Sequence, residues 1–310
     1  MEEIIRANGI EICYETFGDA SHEPLLLIMG IGTQMVHWDD EFCRQLAAGG
    51  FFVIRFDNRD VGRSTWFHGD DNPIGLAEFL YLRVLGRPIS AQYRLIDMAR
   101  DAVGLMNALK LQAAHLVGAS MGGMIAQEIA ISFPTNVLSL TSIMSTTSDP
   151  RLPGPTLAAA SLLTSLPATT RRAYVEGFLK TWKTLRGGGS FPEEERLDHS
   201  RAERNFSRGI NPSGKARHLR AILASGSRKS RLALVKAPTL VVHGSHDPMV
   251  RPQAGIDTAN SIPGAKLLMI EGMGHALPLS TWPTIIDRIH AHAWDAGSPT
   301  AAKMKVGEVM

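Results

Sequence analysis

Residues 115–123 form the most informative segment of the sequence and read His-Leu-Val-Gly-Ala-Ser-Met-Gly-Gly. A short apolar run precedes Ser120 and a helical pattern follows it. Gly118-x-Ser120-x-Gly122 therefore stands between a strand and a helix, as a nucleophile elbow requires. Because glycine lacks a Cβ, the two glycines let strand and helix approach while Ser120 takes a strained backbone conformation. The segment predicts an exposed serine hydroxyl at a helix N-terminus, with a simple N-cap serine as the alternative.

Buried apolar runs alternate with helical patterns on both sides of this stretch. The chain opens on a predicted hairpin around Asn8-Gly9, a strong two-residue turn signal. Further strands are predicted at 25–29, 51–56, 115–119, 137–144, 238–244 and 266–270. Helices are predicted over 95–109, 121–133, 254–262 and 278–294, with another before 49. This alternation predicts an α/β fold with a mostly parallel central sheet flanked by helices.

One long interval breaks the alternation. Residues 150–236 hold 17 Lys and Arg against 6 Asp and Glu, and they contain helical patterns but no convincing buried strand. We interpret 149–236 as a helical cap inserted into a core formed by 1–148 and 237–296, with 297–310 as a flexible tail. The basic excess could attract anionic ligands, or it could simply form a solvated helical surface.

Composition excludes several classes of protein. With 44% hydrophobic and 20% charged residues, the 310-residue chain is an ordinary globular protein rather than a disordered one. A net charge of +2 argues against nucleic acid as a partner, and no apolar run is long enough to span a bilayer. The acidic start gives no secretory signal, and Cys13 and Cys43 cannot alone supply four zinc ligands. We expect a cytoplasmic protein with no metal and two buried cysteines.

A serine hydroxyl needs a base and an orienting carboxylate, and both are found after the insertion. Asp247 follows the predicted strand 238–244, and His275 lies in a glycine-rich loop after the strand 266–270. Functional residues of a parallel sheet collect beyond the carboxyl ends of its strands, and the order Ser, Asp, His suits a nucleophile elbow. We therefore predict Ser120, Asp247 and His275 as the catalytic residues. His243 and His246 compete for the role of base but are less well placed.

Two backbone N–H groups should stabilise the oxyanion of an attacked carbonyl. One is predicted to be that of Met121, directly after Ser120, and the other that of Ile31. Ile31 stands between two glycines in the loop after the strand 25–29, so its backbone can curl toward a substrate. Met29 and Trp38 are candidates for the wall of an apolar substrate pocket.

These motifs together resemble the α/β-hydrolase superfamily. A further segment, Phe-Asp-Asn-Arg-Asp-Val-Gly-Arg-Ser at 56–64, is similar to a loop of that superfamily, although Asp60 stands where glycine is usual. That departure, Met29-Gly30, and Gly-Met-Gly-His-Ala-Leu-Pro at 272–278 are similar to the aclacinomycin methylesterase group of bacterial esterases. The resemblance implies a serine carboxylesterase that needs no cofactor and acts on small to medium, largely apolar esters. It does not extend to the insertion, so the physiological ester and the oligomeric state stay open.

Three other functions remain open. A carbon–carbon bond hydrolase or a perhydrolase would use the same three residues, and a hydrolase scaffold can also serve as a ligand receptor.

A dinucleotide-dependent oxidoreductase is suggested by Gly30-Ile31-Gly32 after a strand, but Met35 stands where the third glycine should be. That alternative would also leave Ser120, Asp247 and His275 without a role.

Overall fold

The computed structural model describes residues 1–69, 73–85, 89–187 and 191–297. Its centre is an eight-stranded sheet in the order β1-β2-β4-β3-β5-β6-β7-β8. The first two strands pair antiparallel as the predicted hairpin, β2 pairs antiparallel with β4, and all the other pairs are parallel. The strands are β1 Glu3–Ala7, β2 Ile10–Phe17, β3 Glu23–Ile28, β4 Phe51–Phe56, β5 Ala114–Ala119, β6 Val137–Ile143, β7 Thr239–Gly244 and β8 Lys266–Ile270. The prediction of a mostly parallel sheet is confirmed.

Helices connect the strands and cover both faces of the sheet. They are α1 Asp40–Ala48, α2 Leu76–Leu85, α3 Leu95–Ala108, α4 Met121–Ser132, α5 Leu157–Thr164, α6 Arg171–Leu185, α7 Pro192–Ser207, α8 Gly214–Ser225, α9 Lys229–Leu232, α10 Pro252–Ser261 and α11 Trp282–Asp295. In β3, Leu26 and Ile28 pack into the core on the side of α3 and α4. The alternate residues Leu25 and Leu27 pack on the side of α1 and α11. Successive side chains point to opposite faces of the sheet, and both faces are buried. The sequence of β3 is therefore apolar at successive positions.

The segment 149–236 differs from the rest as its composition suggests. Its described residues form α5 to α9 and no strand, and α6 packs against α7. Helix α2 was not predicted; it lies against α5, and Phe79 shares a small apolar cluster with Ala160 and Leu219. Apart from Gly297, the predicted tail 297–310 lies outside the described residues.

Two further observations concern the expected location of the protein. Cys13 and Cys43 are both buried and unbridged, as expected of small apolar groups. Among the helices that the structure describes, none combines the length and the apolar character needed to cross a bilayer. The cytoplasmic location stays a prediction.

Candidate active site

Ser120 lies on the sharp turn between β5 and α4. Its backbone has φ 56° and ψ −119°, a conformation that a residue with a side chain rarely adopts. The turn is held because Ser120 N–H donates to the Ile143 carbonyl at 2.9 Å, while the Ser120 carbonyl accepts the hydroxyl of Ser145 at 2.7 Å. A Cβ on Gly122 would collide with the Ile28 carbonyl, so strand and helix pack more closely here than any other residue would allow.

The structure brings the three predicted catalytic side chains into one hydrogen-bonded chain. The Ser120 hydroxyl lies 3.0 Å from His275 Nε2, and His275 Nδ1 lies 2.7 Å from Asp247 Oδ2. The other carboxylate oxygen, Asp247 Oδ1, accepts the backbone N–H groups of Met249 and Val250, each at 2.8 Å. Since this carboxylate is fully buried and faces Nδ1, it favours the tautomer with the proton on Nδ1. His275 Nε2 is then free to accept the serine proton.

The C-terminal end of helix α6 holds the loop that carries His275. His275 N–H donates to the carbonyl of Leu185, the last residue of α6, at 2.6 Å. The neighbouring Gly274 lies so close to the same helix end that a Cβ would collide with the backbone of Leu185 and Arg186. Helix α6 therefore sets the position of the imidazole, although it is separated from His275 by about ninety residues of sequence.

The two competing histidines have other partners. His243 is fully buried, and its Nε2 donates to the Val250 carbonyl at 2.8 Å. Burial lowers its pKa, so it is held neutral beside Asp247. His246 is largely exposed and shares a hydrogen bond with Ser245. Within the described residues, neither side chain is hydrogen-bonded to Ser120.

The loop after β3 runs directly against Ser120. A Cβ built on Gly30 would lie 3.1 Å from the Ser120 Cβ. The loop is tied on one side by the Asn58 amide, which donates to the Met29 carbonyl at 2.9 Å. On the other side Gly32 N–H donates to His218 Nδ1 at 3.0 Å. Ile31, the predicted oxyanion donor, lies between these two anchors.

His218 belongs to helix α8 and is completely buried. Because Nδ1 accepts from Gly32, the ring proton lies on Nε2, which donates to the Arg59 carbonyl at 2.7 Å. Burial lowers the pKa of this imidazole and keeps it in the neutral form that both bonds need. No motif in the sequence indicates this residue, because its partners are about 160 to 190 positions away.

Ser120 opens onto a cavity of about 290 Å³. Ile31 shares the wall with Ser120, while most of the remaining lining comes from α2, α5 and α8 and from the segments after β6, β7 and α8; α4 and α10 each add one residue. Most of it is apolar, including Phe79, Leu82, Met124, Leu163, Leu219 and Val250. The sequence did not indicate these residues, because most of them come from loops and from helices outside the segments that carry the resemblance.

The expected pocket residues Met29 and Trp38 lie elsewhere. They line a second cavity of about 50 Å³, and among the described residues they do not line the cavity that contains Ser120. Met29 continues the alternation of Leu25 and Leu27, so its side chain enters the core on the side of α1 and α11. Trp38 stacks on Phe42 in the same core, with ring centroids 5.5 Å apart. The structure therefore does not place Met29 or Trp38 in the described wall of the Ser120 cavity, where they were expected.

Comparison with known proteins gives the same picture as the motifs. Residues 23–280 match a family model described as alpha/beta hydrolase fold. The chain is 31% identical to a rhodomycin D methylesterase of Streptomyces peucetius and 29% identical to one of Streptomyces sp. strain C5, each alignment covering 93% of this chain and 97% of the relative. Among solved structures, a meta-cleavage product hydrolase of Pseudomonas fluorescens superimposes with a TM-score of 0.73 at 18% identity, covering 95% of this chain and 98% of that one. The resemblance noted in the sequence is confirmed.

Proposed function

The chain belongs to the α/β-hydrolase fold family, and we propose that it is a serine carboxylesterase. In this proposal Ser120 is the nucleophile, His275 the general base and acid, and Asp247 the group that orients the imidazole. The observation that carries it is the hydrogen-bonded chain from the Ser120 hydroxyl through His275 to the buried Asp247, at the wall of an apolar cavity. Similarity to two methylesterases supports the same class of reaction.

Acylation begins when Ser120 Oγ attacks the ester carbonyl carbon and its proton passes to His275 Nε2. The imidazolium that forms is stabilised by the Asp247 carboxylate, which lies 2.7 Å from Nδ1. The carbonyl oxygen becomes an oxyanion, which we assign to the backbone N–H groups of Ile31 and Met121. Met121 begins helix α4, so its N–H has no partner within the helix and is available to an oxyanion.

Collapse of the tetrahedral intermediate breaks the bond to the alcohol oxygen, and His275 returns its proton to that oxygen. A water molecule then gives a proton to His275 Nε2 and attacks the acyl-enzyme in the same manner. The second intermediate releases the carboxylic acid and restores the Ser120 hydroxyl. Every proton in this cycle passes through His275 Nε2, and the reaction balances with one water molecule consumed for each ester.

The volume and lining of the cavity support esters of small to medium size and largely apolar character. We further propose that 149–236 acts as a cap over a core formed by 1–148 and 237–296. Two of its helices line the cavity, which supports a role of this segment in choosing the substrate. Methyl esters belong in the test set, because the two methylesterases share about 30% of their residues with this chain.

The test is hydrolysis of a p-nitrophenyl ester series from acetate to octanoate, with a set of methyl esters, by the wild type and Ser120→Ala in parallel. We expect turnover by the wild type that is lost in the variant, with both proteins equally folded by circular dichroism. Equal activity in the two proteins would refute the role of Ser120. Absence of turnover by the folded wild type on every ester would favour a carbon–carbon bond hydrolase, a perhydrolase or a receptor.

A further inference from the structure

One charged side chain interrupts the apolar wall of the cavity around Ser120. Among its described lining residues, only Arg251 carries a charge. Arg251 directly precedes helix α10 and follows the loop that holds Asp247. It is partly buried, and within the described part of the chain no carboxylate pairs with its guanidinium. A guanidinium keeps its charge and five N–H donors under all ordinary conditions, so this one is available to a ligand.

A second cation lies behind the same wall. Arg228 is completely buried, and its partners are neutral: the Gln127 side chain at 3.0 Å, the Thr146 carbonyl at 2.9 Å and the Ser148 hydroxyl at 2.9 Å. Burial without an ion-pair partner lowers its pKa to about 10, which still leaves it charged at neutral pH. Thr146 and Ser148 both line the cavity, so the field of this cation reaches the ligand space through one layer of atoms.

Acidic groups nearby do not cancel these charges. Asp149 and Asp257, on segments that adjoin the cavity, are both ion-paired with Lys229. Asp149 also holds Arg151 through paired contacts of 2.7 to 3.2 Å. Within the described residues Asp247 forms no ion pair with Arg251; its oxygens accept from His275, Met249 and Val250. The described wall of the cavity is therefore mostly apolar, with one cation in it and a second cation behind it.

We propose that the substrate is an ester with a carboxylate at its far end, which Arg251 binds while Ser120 attacks the ester. Monoesters of dicarboxylic acids have this chemistry: an apolar chain for the wall and an anion for the guanidinium. The inference rests on the proposed esterase function and narrows its substrate class. Arg251 is then a specificity-determining residue, since it contacts the end of the substrate that does not react.

The experiment compares two isosteric substrates that differ only in charge. Monomethyl esters of straight-chain dicarboxylic acids from succinate to suberate are assayed beside the corresponding methyl ester carboxamides, with methanol release as the readout. In the wild type, kcat/KM should favour the carboxylate by about tenfold at the chain length that reaches Arg251. Added salt should reduce the preference, because the guanidinium is only partly buried.

Three variants locate the effect. Arg251→Gln should remove the preference for the carboxylate, and Arg251→Lys should restore part of it, because the positive charge returns without the planar fork. Arg288→Gln is the matched control: it removes one positive charge from the exposed face of α11 and should leave the preference unchanged. A preference that persists in Arg251→Gln, or none in the wild type at any chain length, would overturn the proposal while the esterase function stands.

Calorimetric binding separates this inference from the proposed function. Monomethyl adipate and its carboxamide are titrated into Ser120→Ala, with and without Arg251→Gln. We expect the monoester to bind about tenfold more tightly than the carboxamide, and only when Arg251 is present. If the wild type hydrolyses no ester but this difference is found, the anion site stands and the esterase proposal fails. Equal binding of the two compounds would reject the site.

Discussion

His218 offers a way to test whether the loop after β3 is held in place for catalysis. Its Nδ1 accepts from Gly32 at 3.0 Å and its Nε2 donates to the Arg59 carbonyl at 2.7 Å. Asparagine places an acceptor oxygen near the position of Nδ1, and glutamine places a donor nitrogen near that of Nε2. His218→Asn therefore keeps the bond to the loop and loses the bond to Arg59, whereas His218→Gln does the reverse.

The two variants should cost similar stability but different activity. Each loses one buried hydrogen bond and leaves one backbone group unpaired, which lowers the free energy of unfolding by about 1–3 kcal/mol. Only His218→Gln releases Gly32 and with it the neighbouring Ile31. Removal of one oxyanion donor costs about 10²–10³ in kcat, so a donor that is displaced rather than removed should cost about tenfold. KM should change little, because the oxyanion exists only in the transition state.

The assay measures kcat and KM on one p-nitrophenyl ester, with Tm followed by circular dichroism, for the wild type and both variants. We expect equal losses in Tm, near-normal kcat for His218→Asn and a lower kcat for His218→Gln. Equal kcat values in the two variants would mean that His218 stabilises the fold and nothing more. A change confined to KM would place the effect in substrate binding and would equally refute the argument.

Three further predictions concern the base, the elbow and the response to pH. His275→Ala should lower kcat by about 10³-fold or more with Tm nearly unchanged, and near-normal turnover would reject the proposed base. Gly122→Ala should lower Tm sharply, because a Cβ there meets the Ile28 carbonyl. Gly177→Ala, at an open position in the middle of α6, should instead raise the free energy of unfolding by about 0.5–1 kcal/mol. Equal effects of the two variants would contradict the close packing of α4 against β3 at Gly122. Burial lowers the pKa of His115 and His243, so the unfolded chain takes up protons first as pH falls below about 6.5. The free energy of unfolding, measured by urea titration, should then decrease between pH 6.5 and 5 by up to about 1.4 kcal/mol per pH unit for each of these histidines. A flat profile would count against buried neutral histidines.

The core could be predicted from the sequence because its signals are local. Each strand of the parallel sheet is a short apolar run bounded by turn residues, and the helices between them show a clear period. Ser120, Asp247 and His275 follow β5, β7 and β8, and the carboxyl ends of these strands meet at one edge of the sheet. The predicted strand ends and the glycine pattern were therefore enough to predict that these three side chains lie close together.

The cavity could not be predicted in the same way. Helix α2 is apolar at nearly every position, so it lacks the period that marks an amphipathic helix. Trp38 was a candidate for an apolar pocket wall, but its ring is buried in the core on the side of α1. A pocket wall depends on which distant segments cover the strand ends, and a single sequence does not encode that contact in any short pattern.

The segment 149–236, proposed above as a cap, also makes contacts with the residues of the candidate site. Leu185 holds the backbone of His275, and His218 holds Gly32 beside the predicted oxyanion donor. Arg208, at the end of α7, pairs with the buried Asp57 carboxylate at 2.8 Å, and without it that charge would remain unpaired in the core. We therefore expect a chain without the segment 149–236 to lose the contacts that hold the proposed base, His275, and the loop of the proposed oxyanion donor, Ile31, together with part of its stability. In the proposed function, the same helices act on substrate choice and on catalytic geometry, so we expect a change in the cavity wall on α8 to act also on the loop that faces Ser120.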